Sequence, residues 1–346
     1  MKVYHLSHTD LDGYSCQLVT KKIFDEIEFY NSNYGQEIDE RLEQIAGDIE
    51  SDGKEESLIL ITDLNLTIPQ AQKLEELQSK ASGKVDLLLL DHHKTGEEAA
   101  KRYAWYHLDV SRSATKITFD YFKERSRITH LAHYVDVVNA IDIWLRESHH
   151  FELGKVLMRI VSGAKEINRT MFPKENSAYI FALLEASIPF FGKPNPHIEL
   201  DNHIHFLKKE FFKNGPDNTL ENLVSEYVVG MLSANKERMQ IEYSGYTGIM
   251  TYGIGNVSII GNDFLVKNPE VDFFLDINSR KNVSMRANNR VDVSLIAQKL
   301  FGGGGHANAS GGRCERFRES FVYERMREWM QTFMQEAETL PLACSK

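Results

Sequence analysis

Val85-Asp86-Leu87-Leu88-Leu89-Leu90-Asp91-His92-His93 sets the architecture of this chain. Val85 to Leu90 has the length of a strand, and four successive leucines leave no face for water. Such a run belongs in a parallel sheet covered by helices on both sides. Upstream, Leu58-Ile59-Leu60-Ile61-Thr62 is a second buried-strand run, ending at Asp63. Pro69 then opens a helix through Leu74 and Leu77, where a first-turn proline costs nothing. Val3 to Ser7 reads as a short strand leading into His8-Thr9-Asp10-Leu11-Asp12-Gly13, and Gly13 to Glu26 reads as helix, with Leu18, Ile23 and Ile27 among its apolar positions. This alternation predicts an α/β domain with a parallel sheet. In such sheets ligands bind beyond the carboxyl ends of the strands. Three strand ends here deliver carboxylates and imidazoles to one edge.

The residue types at those ends point to a cation. In an extended segment alternate residues face one side, so His8, Asp10 and Asp12 can converge. Two unpaired carboxylates at that spacing repel, and a cation resolves the conflict. A mixed N/O set suits Mn²⁺, and less exclusively Zn²⁺ or Fe²⁺. Asp12 and Asp63 also have the plainer reading of helix caps. Asp91-His92-His93 resists such a reading, because two imidazoles beside a carboxylate directly after four leucines have no packing purpose. Asp142, in Val138-Asn139-Ala140-Ile141-Asp142-Ile143-Trp144, needs a cation or donors to sit among apolar neighbours. Asp136 competes with it for that role, and Asp142 is preferred.

From about Phe151 to Lys236 the sequence is helical and less informative, with a connector at Phe191-Gly192-Lys193-Pro194-Asn195-Pro196. Near Ile241 a smaller α/β pattern begins. Strands are expected at Gly248 to Tyr252, Val257 to Ile260, Phe273 to Ile277 and Val283 to Met285. A helix from Val293 to Leu300 runs into Gly302-Gly303-Gly304-Gly305-His306, and Phe321 to Leu340 reads as a closing amphipathic helix. Four glycines free the backbone to approach a ligand, and their N–H groups can form an anion-binding nest. His306 and Ser310 would add donors, and Arg286, in Ser284-Met285-Arg286, can hold a phosphate bidentately. The plainer alternatives are a flexible loop and a solvated strand face.

At 346 residues the chain is long enough for two domains, and its 42% hydrophobic content suits full-sized cores. We expect residues 1–190 to form the larger domain, 191–240 a helical connector, and 241–346 the smaller domain with its closing helix. Cys16, Cys314 and Cys344 show neither metal spacing nor a disulfide framework. No signal peptide or membrane span is read, so a cytoplasmic protein is expected. With 50 acidic against 40 basic residues, net charge -10, and no Lys/Arg block, long duplex DNA is not an expected partner. A local basic pocket remains compatible with that charge. A homodimer is left open.

Together these residues resemble the DHH phosphoesterase superfamily, named for the string present here as Asp91 to His93. Its first motif matches His8 to Gly13, its second Asp63, and its fourth most naturally Asp142. Ser111-Arg112-Ser113-Ala114-Thr115 is similar to the helix start after the third motif. The family's DHHA1-type C-terminal domain matches Ser284 to Arg286, Val291-Asp292-Val293, and Gly302 to His306 continuing to Ser310-Gly311. The segment from Phe151 to Lys236 matches nothing in the family. The resemblance is nearest to bacterial nanoRNases, which degrade very short RNA. It implies an α/β fold with an N-terminal parallel-sheet DHH domain and a smaller C-terminal DHHA1-type domain. It implies two Mn²⁺ ions, one held by His8, Asp10 and Asp63 and the other by Asp12, Asp63, His92 and Asp142. His93 would face the scissile phosphate and Asp91 would orient a neighbouring imidazole. Ser284, Arg286, Gly303, Gly304, Gly305, His306 and Ser310 would bind the short oligonucleotide or nucleotide. The implied reaction is Mn-dependent hydrolysis of very short oligonucleotides to mononucleotides. Alternatives are a 3′-phosphoadenosine 5′-phosphate phosphatase and a phosphodiesterase of cyclic or linear dinucleotides. A pyrophosphatase lacks the glycine loop, and a RecJ-type processive exonuclease usually carries a further nucleic-acid-binding domain. A nucleotide-binding regulator with a dead centre is the non-enzyme alternative.

Overall fold

The computed structural model describes residues 1–125 and 127–339; Leu340 and Cys344, noted above, lie outside them. The chain forms two compact units, one of residues 1–164 with 177–207, the other of residues 165–176 with 208–346.

The first unit runs β1 (Lys2–Ser7), α1 (Leu11–Lys21), β2 (Ile27–Asn31), α2 (Gln36–Asp52), β3 (Glu56–Thr62), α3 (Ile68–Lys80), β4 (Lys84–Asp91), α4 (Glu97–Arg102), β5 (Tyr106–Leu108), α5 (Ala114–Phe122), α6 (Ala132–Asp142) and α7 (Phe151–Gly163). The division between units falls within the next two helices, α8 (Pro173–Ser187) and α9 (Pro196–Phe212). The five strands form one parallel sheet in the order β2-β1-β3-β4-β5. Tyr4, Leu6, Ile59, Ile61 and Leu89 pack from one face onto Ile38, Leu42 and Ile45 of α2 and Leu74 of α3. The other face carries α1 and α5. There the buried His5 ring bridges Thr20 Oγ1 of α1 and Thr62 Oγ1 of β3, both at 2.8 Å. Covering both faces is what the unbroken apolar runs of β3 and β4 require. Thr67 and Gln70 form a reciprocal capping box at the start of α3, with Pro69 in the first turn as expected.

Two expectations need correction here. The first helix ends at Lys21, and Ile27 opens β2 instead of continuing the helix. The His8–Asp12 segment is not extended throughout, since Asp10 caps α1, accepting from Gly13 N–H at 3.0 Å, and Asp12 lies in its first turn. The bend is tight enough that a Cβ on Gly13 would stand 2.4 Å from the His8 carbonyl oxygen.

The second unit contains α10 (Leu220–Ala234), α11 (Lys236–Met239), β6 (Gln240–Tyr243), β7 (Tyr246–Tyr252), α12 (Val257–Lys267), β8 (Phe273–Ile277), β9 (Asn282–Ala287), α13 (Val293–Phe301), β10 (Gly304–His306), β11 (Ala309–Arg313) and α14 (Tyr323–Thr339). Its sheet has the order β10-β11-β9-β8-β7-β6, antiparallel except for the β7–β8 pair. Val257 to Ile260 is therefore helix, not strand. Asn256 caps it by accepting from Ile259 N–H, and Ile260, Phe264 and Leu265 bury one helical face. The apolar run was one turn of an amphipathic helix, too short for its period to show. No helix among the described residues is long and apolar enough to cross a membrane.

Candidate metal centre

The carboxyl ends of β1, β3 and β4 bring the expected residues of the first unit together. Three overlapping groups have ligand atoms within 4.8 Å of one another: His8 with Asp10 and Asp63, Asp12 with His92 and Asp142, and Asp63 with His92 and His93. Asp63 lies at the junction. His8 Nδ1 is 3.0 Å from Asp10 Oδ2 and 3.7 Å from Asp63 Oδ2. His92 Nε2 is 3.3 Å from Asp63 Oδ1 and 3.9 Å from Asp12 Oδ2, while its Nδ1 is 3.6 Å from Asp142 Oδ2. Asp136, the competitor of Asp142, is instead engaged by Lys116 at 2.7 Å.

The local backbone explains the placement. Asp63 follows β3 with φ +55°, a left-handed conformation that Asp tolerates better than most side chains. Asp12 is buried, and its carboxylate accepts from the N–H groups of Ala114 (2.7 Å) and Thr115 (2.9 Å) at the start of α5. Asp142 is the last residue of α6. Asp91 is buried and accepts from Tyr106 OH at 2.6 Å, while its other oxygen is 2.7 Å from His93 Nδ1. Asp91 thus orients His93, with the Nδ1 proton assigned by this contact. Sequence reasoning missed Tyr106 and also Tyr34, whose hydroxyl lies 2.9 Å from His93 Nε2. Neither stands in a motif.

The electrostatics ask for positive charge. Burial, then the charges of Asp12 and Asp10, push the Asp63 carboxyl well above the carboxylate range. Burial and the same two neighbours push Asp142 up to about 9. Burial opposes ionisation of Asp10 too, but His8 and Gly13 N–H hold it down at about 2. Asp63 Oδ2 and Asp142 Oδ2 are buried and meet no hydrogen-bond donor among the described residues. Orphaned oxygens of this kind are costly unless a cation takes them up. Carboxylates with imidazoles are a donor set for a divalent metal, and these residues fit one.

The remaining expected residues lie in the second unit. Arg286 on β9 donates to Ser258 Oγ at 2.6 Å and to the Met285 carbonyl at 2.7 Å. Ser284 pairs with Gly311 in the β9–β11 register. The glycine run is not an open nest, because Gly304 to His306 form β10 against β11. Gly303 packs so closely that a Cβ would fall 1.9 Å from the Gly311 carbonyl oxygen, and Gly305 has φ +145°. Gly304 has open space where a Cβ would point, and His306 is exposed. The buried Ser310 hydroxyl donates to the Val293 carbonyl at 2.7 Å, so here it holds the hairpin to α13.

The carboxyl edge of the parallel sheet, with the end of α6, gathers three Asp and three His side chains around the junction carboxylate Asp63, which defines an α/β protein with a candidate divalent-metal centre. No family model matches the chain. It is 41% identical over 350 residues to a 3′,5′-cyclic-nucleotide phosphodiesterase of Helicobacter pylori, covering 97% of this chain and all of that one. It is 27% identical to the oligoribonuclease NrnB of Bacillus subtilis, over 94% of this chain and 76% of that protein. A crystal structure of an uncharacterized protein from Helicobacter pylori G27 superposes with TM-score 0.92 at 40% identity, covering 97% of this chain and 99% of that one. The chain belongs to the DHH phosphoesterase superfamily, and it is a phosphodiesterase of that type.

Proposed function

We propose that this chain hydrolyses small nucleotide phosphodiesters to mononucleotides at a two-manganese centre. The carrying observation is the pair of residue groups joined at Asp63, one with His8 and Asp10, the other reaching Asp12, Asp142 and His92. When bound there, two divalent ions would supply Lewis-acid activation of water and charge neutralisation at phosphorus. His8, Asp10 and Asp63 would hold one ion; Asp12, Asp63, His92 and Asp142 would hold the other. The chain's own contribution is order. The α5 N–H groups fix the Asp12 carboxylate, and Asp91 fixes the His93 ring so that Nε2 points away from the core. Arg286 and the exposed His306 would hold the nucleotide's phosphate or sugar.

The 41% relative favours 3′,5′-cyclic nucleotides as substrate, a class absent from the sequence-based alternatives. The more distant relative favours the very short oligoribonucleotides expected from the sequence. In both, hydrolysis of one P–O bond of a phosphodiester releases a mononucleotide. With Mn²⁺, kcat/KM should be compared for 3′,5′-cyclic AMP, a diribonucleotide, an RNA several times longer, and 3′-phosphoadenosine 5′-phosphate. We expect turnover of one or both small diesters and poor turnover of the longer RNA, since the chain's net charge of -10 repels extended polyanions. Activity on 3′-phosphoadenosine 5′-phosphate alone, or rates that rise with length, would overturn this reading.

A further inference from the structure

Tyr34 stands at the rim of the centre, on the short segment between β2 and α2. That segment is tied on both sides. Ser32 N–H donates to the Ser7 carbonyl at 2.9 Å, Thr9 Oγ1 donates to Asn33 Oδ1 at 2.8 Å, and Asn31 Nδ2 donates to the His8 carbonyl at 3.0 Å. On the α2 side, both the backbone N–H and the side-chain amide of Asn33 donate to Glu37 Oε2, each at 2.9 Å. The segment is thereby held against the stretch that carries His8 and Asp10. Gly35, at φ +87°, turns the chain from Tyr34 into α2.

The Tyr34 ring lies 5.0 Å from the His8 ring and 5.5 Å from the His93 ring, yet the residue is 42% exposed. A tyrosine kept for packing buries its ring, whereas this one leaves much of it in solvent and directs its hydroxyl at His93 Nε2. Asp91 already takes the Nδ1 side, so Nε2 accepts the phenolic proton. A phenol is protonated at neutral pH, so the hydroxyl is a neutral donor that does not add charge to an acidic site.

We propose that Tyr34 is a substrate-contacting residue: when a phosphodiester enters beside His93, the phenol turns its O–H from His93 Nε2 and donates to a non-bridging phosphate oxygen. In the free protein the same bond keeps the His93 ring aligned between Asp91 and Tyr34. This rests on the phosphodiesterase reading but not on which nucleotide is cleaved. No element need move far, because the phenolic O–H only has to turn from the ring nitrogen toward an oxygen beside it.

The test compares wild type, Tyr34→Phe and Tyr34→Ala, all loaded with Mn²⁺. The probes are inorganic phosphate, titrated calorimetrically, and the generic diester bis(p-nitrophenyl) phosphate. Tyr34→Phe should keep full metal content, bind phosphate about ten-fold more weakly, and lose about ten-fold in kcat/KM, the size of one lost hydrogen bond in a partly desolvated site. A raised KM with little change in kcat is expected, because a bond that persists equally through the reaction is uniform binding. Tyr34→Ala should fall close to Tyr34→Phe if the hydroxyl is what matters. A Tyr34→Phe protein with wild-type phosphate affinity and kcat/KM overturns the proposal, as does metal loss in Tyr34→Phe. A defect seen only in Tyr34→Ala overturns it in favour of ring packing. If bis(p-nitrophenyl) phosphate is cleaved while every nucleotide is refused, the nucleotide reading fails and the Tyr34 comparison still stands. If wild type cleaves no diester, the phosphate titration alone decides the role of Tyr34.

Discussion

Two buried aspartates show what separates a site from a structural carboxyl. Asp63 holds a left-handed backbone at a strand end and leaves one buried oxygen without a donor. Asp276, on β8, is as deeply buried, but it accepts from Thr251 Oγ1 at 2.8 Å and Ile254 N–H at 3.2 Å. Burial pushes the Asp276 carboxyl up to about 7 despite those bonds. Its ordinary value is 3.8, so the folded protein binds this proton more tightly than the unfolded chain does. The stability it contributes is complete below about 4 and is lost as pH rises through about 7. Asp276→Asn keeps an acceptor and removes the ionisation. It should stabilise the protein by on the order of 3 kcal/mol at pH 8, with the gain fading toward pH 4. Denaturant melts of both proteins at pH 4.5, 6 and 8 check this, and a pH-independent difference would refute the ionisation account. At this scale the sequence was informative where a carboxylate closed an apolar run, as at Asp63 and Asp91. Nothing distinguished Asp276, because its donors come from residues distant in sequence.

Helix starts do much of the positioning. At the start of α5, Ser113 caps the helix by accepting from Lys116 N–H, its own N–H is taken by Asn139 of α6, and the next two N–H groups hold Asp12. The element that ends in Asp142 is thus tied to the one that fixes Asp12. Ala114 is the first helical residue, where proline's geometry is accepted and only its N–H is lost. Ser113 already has the extended conformation that a following proline demands, at φ -62° and ψ 156°. We expect Ala114→Pro to retain its helical circular dichroism while binding Mn²⁺ roughly 10- to 100-fold more weakly, the usual effect of losing a support to a ligand. Metal titration followed by a melt measures both, and unchanged affinity would show that Asp12 needs no backbone anchor. The strands β1, β3 and β4 were legible as apolar runs, and α3 through its proline. β2 and α2 were not: Ile27-Glu28-Phe29-Tyr30-Asn31 alternates as an edge strand does, and Gln36–Asp52 is highly charged. Tyr34 lies between those two unread elements, which is why no motif exposed it.

For the whole molecule, the proposed chemistry and the proposed grip fall on different units of the chain. All six expected metal ligands lie in the first unit, and Arg286 and His306 lie in the second. The C-terminal pattern was legible as strand, helix and glycine run. The pairing of β10 with β11 was not, because glycines carry no β-propensity and that strand exists only through its partner. Arg286 is already oriented by Ser258 and its stem passes close to Gly261, where a Cβ would meet Arg286 Cγ at 3.2 Å. In the proposed role, a guanidinium held in this way would turn its fork to a phosphate at little entropic cost. Arg286→Ala should therefore leave metal content unchanged and raise KM roughly ten-fold, with a smaller fall in kcat. Arg286→Lys should recover little, since an ammonium lacks the fork. The effect should also depend on how many phosphates the substrate offers. A 3′,5′-cyclic nucleotide has one phosphate, which the proposed hydrolysis commits to the metal ions. A 5′-phosphorylated diribonucleotide has a second phosphate for the arginine to grip. The KM penalty should accordingly be several-fold larger for the dinucleotide. Equal penalties on both substrates would show that Arg286 does not hold a second phosphate, and metal loss in Arg286→Ala would contradict the proposed division of labour.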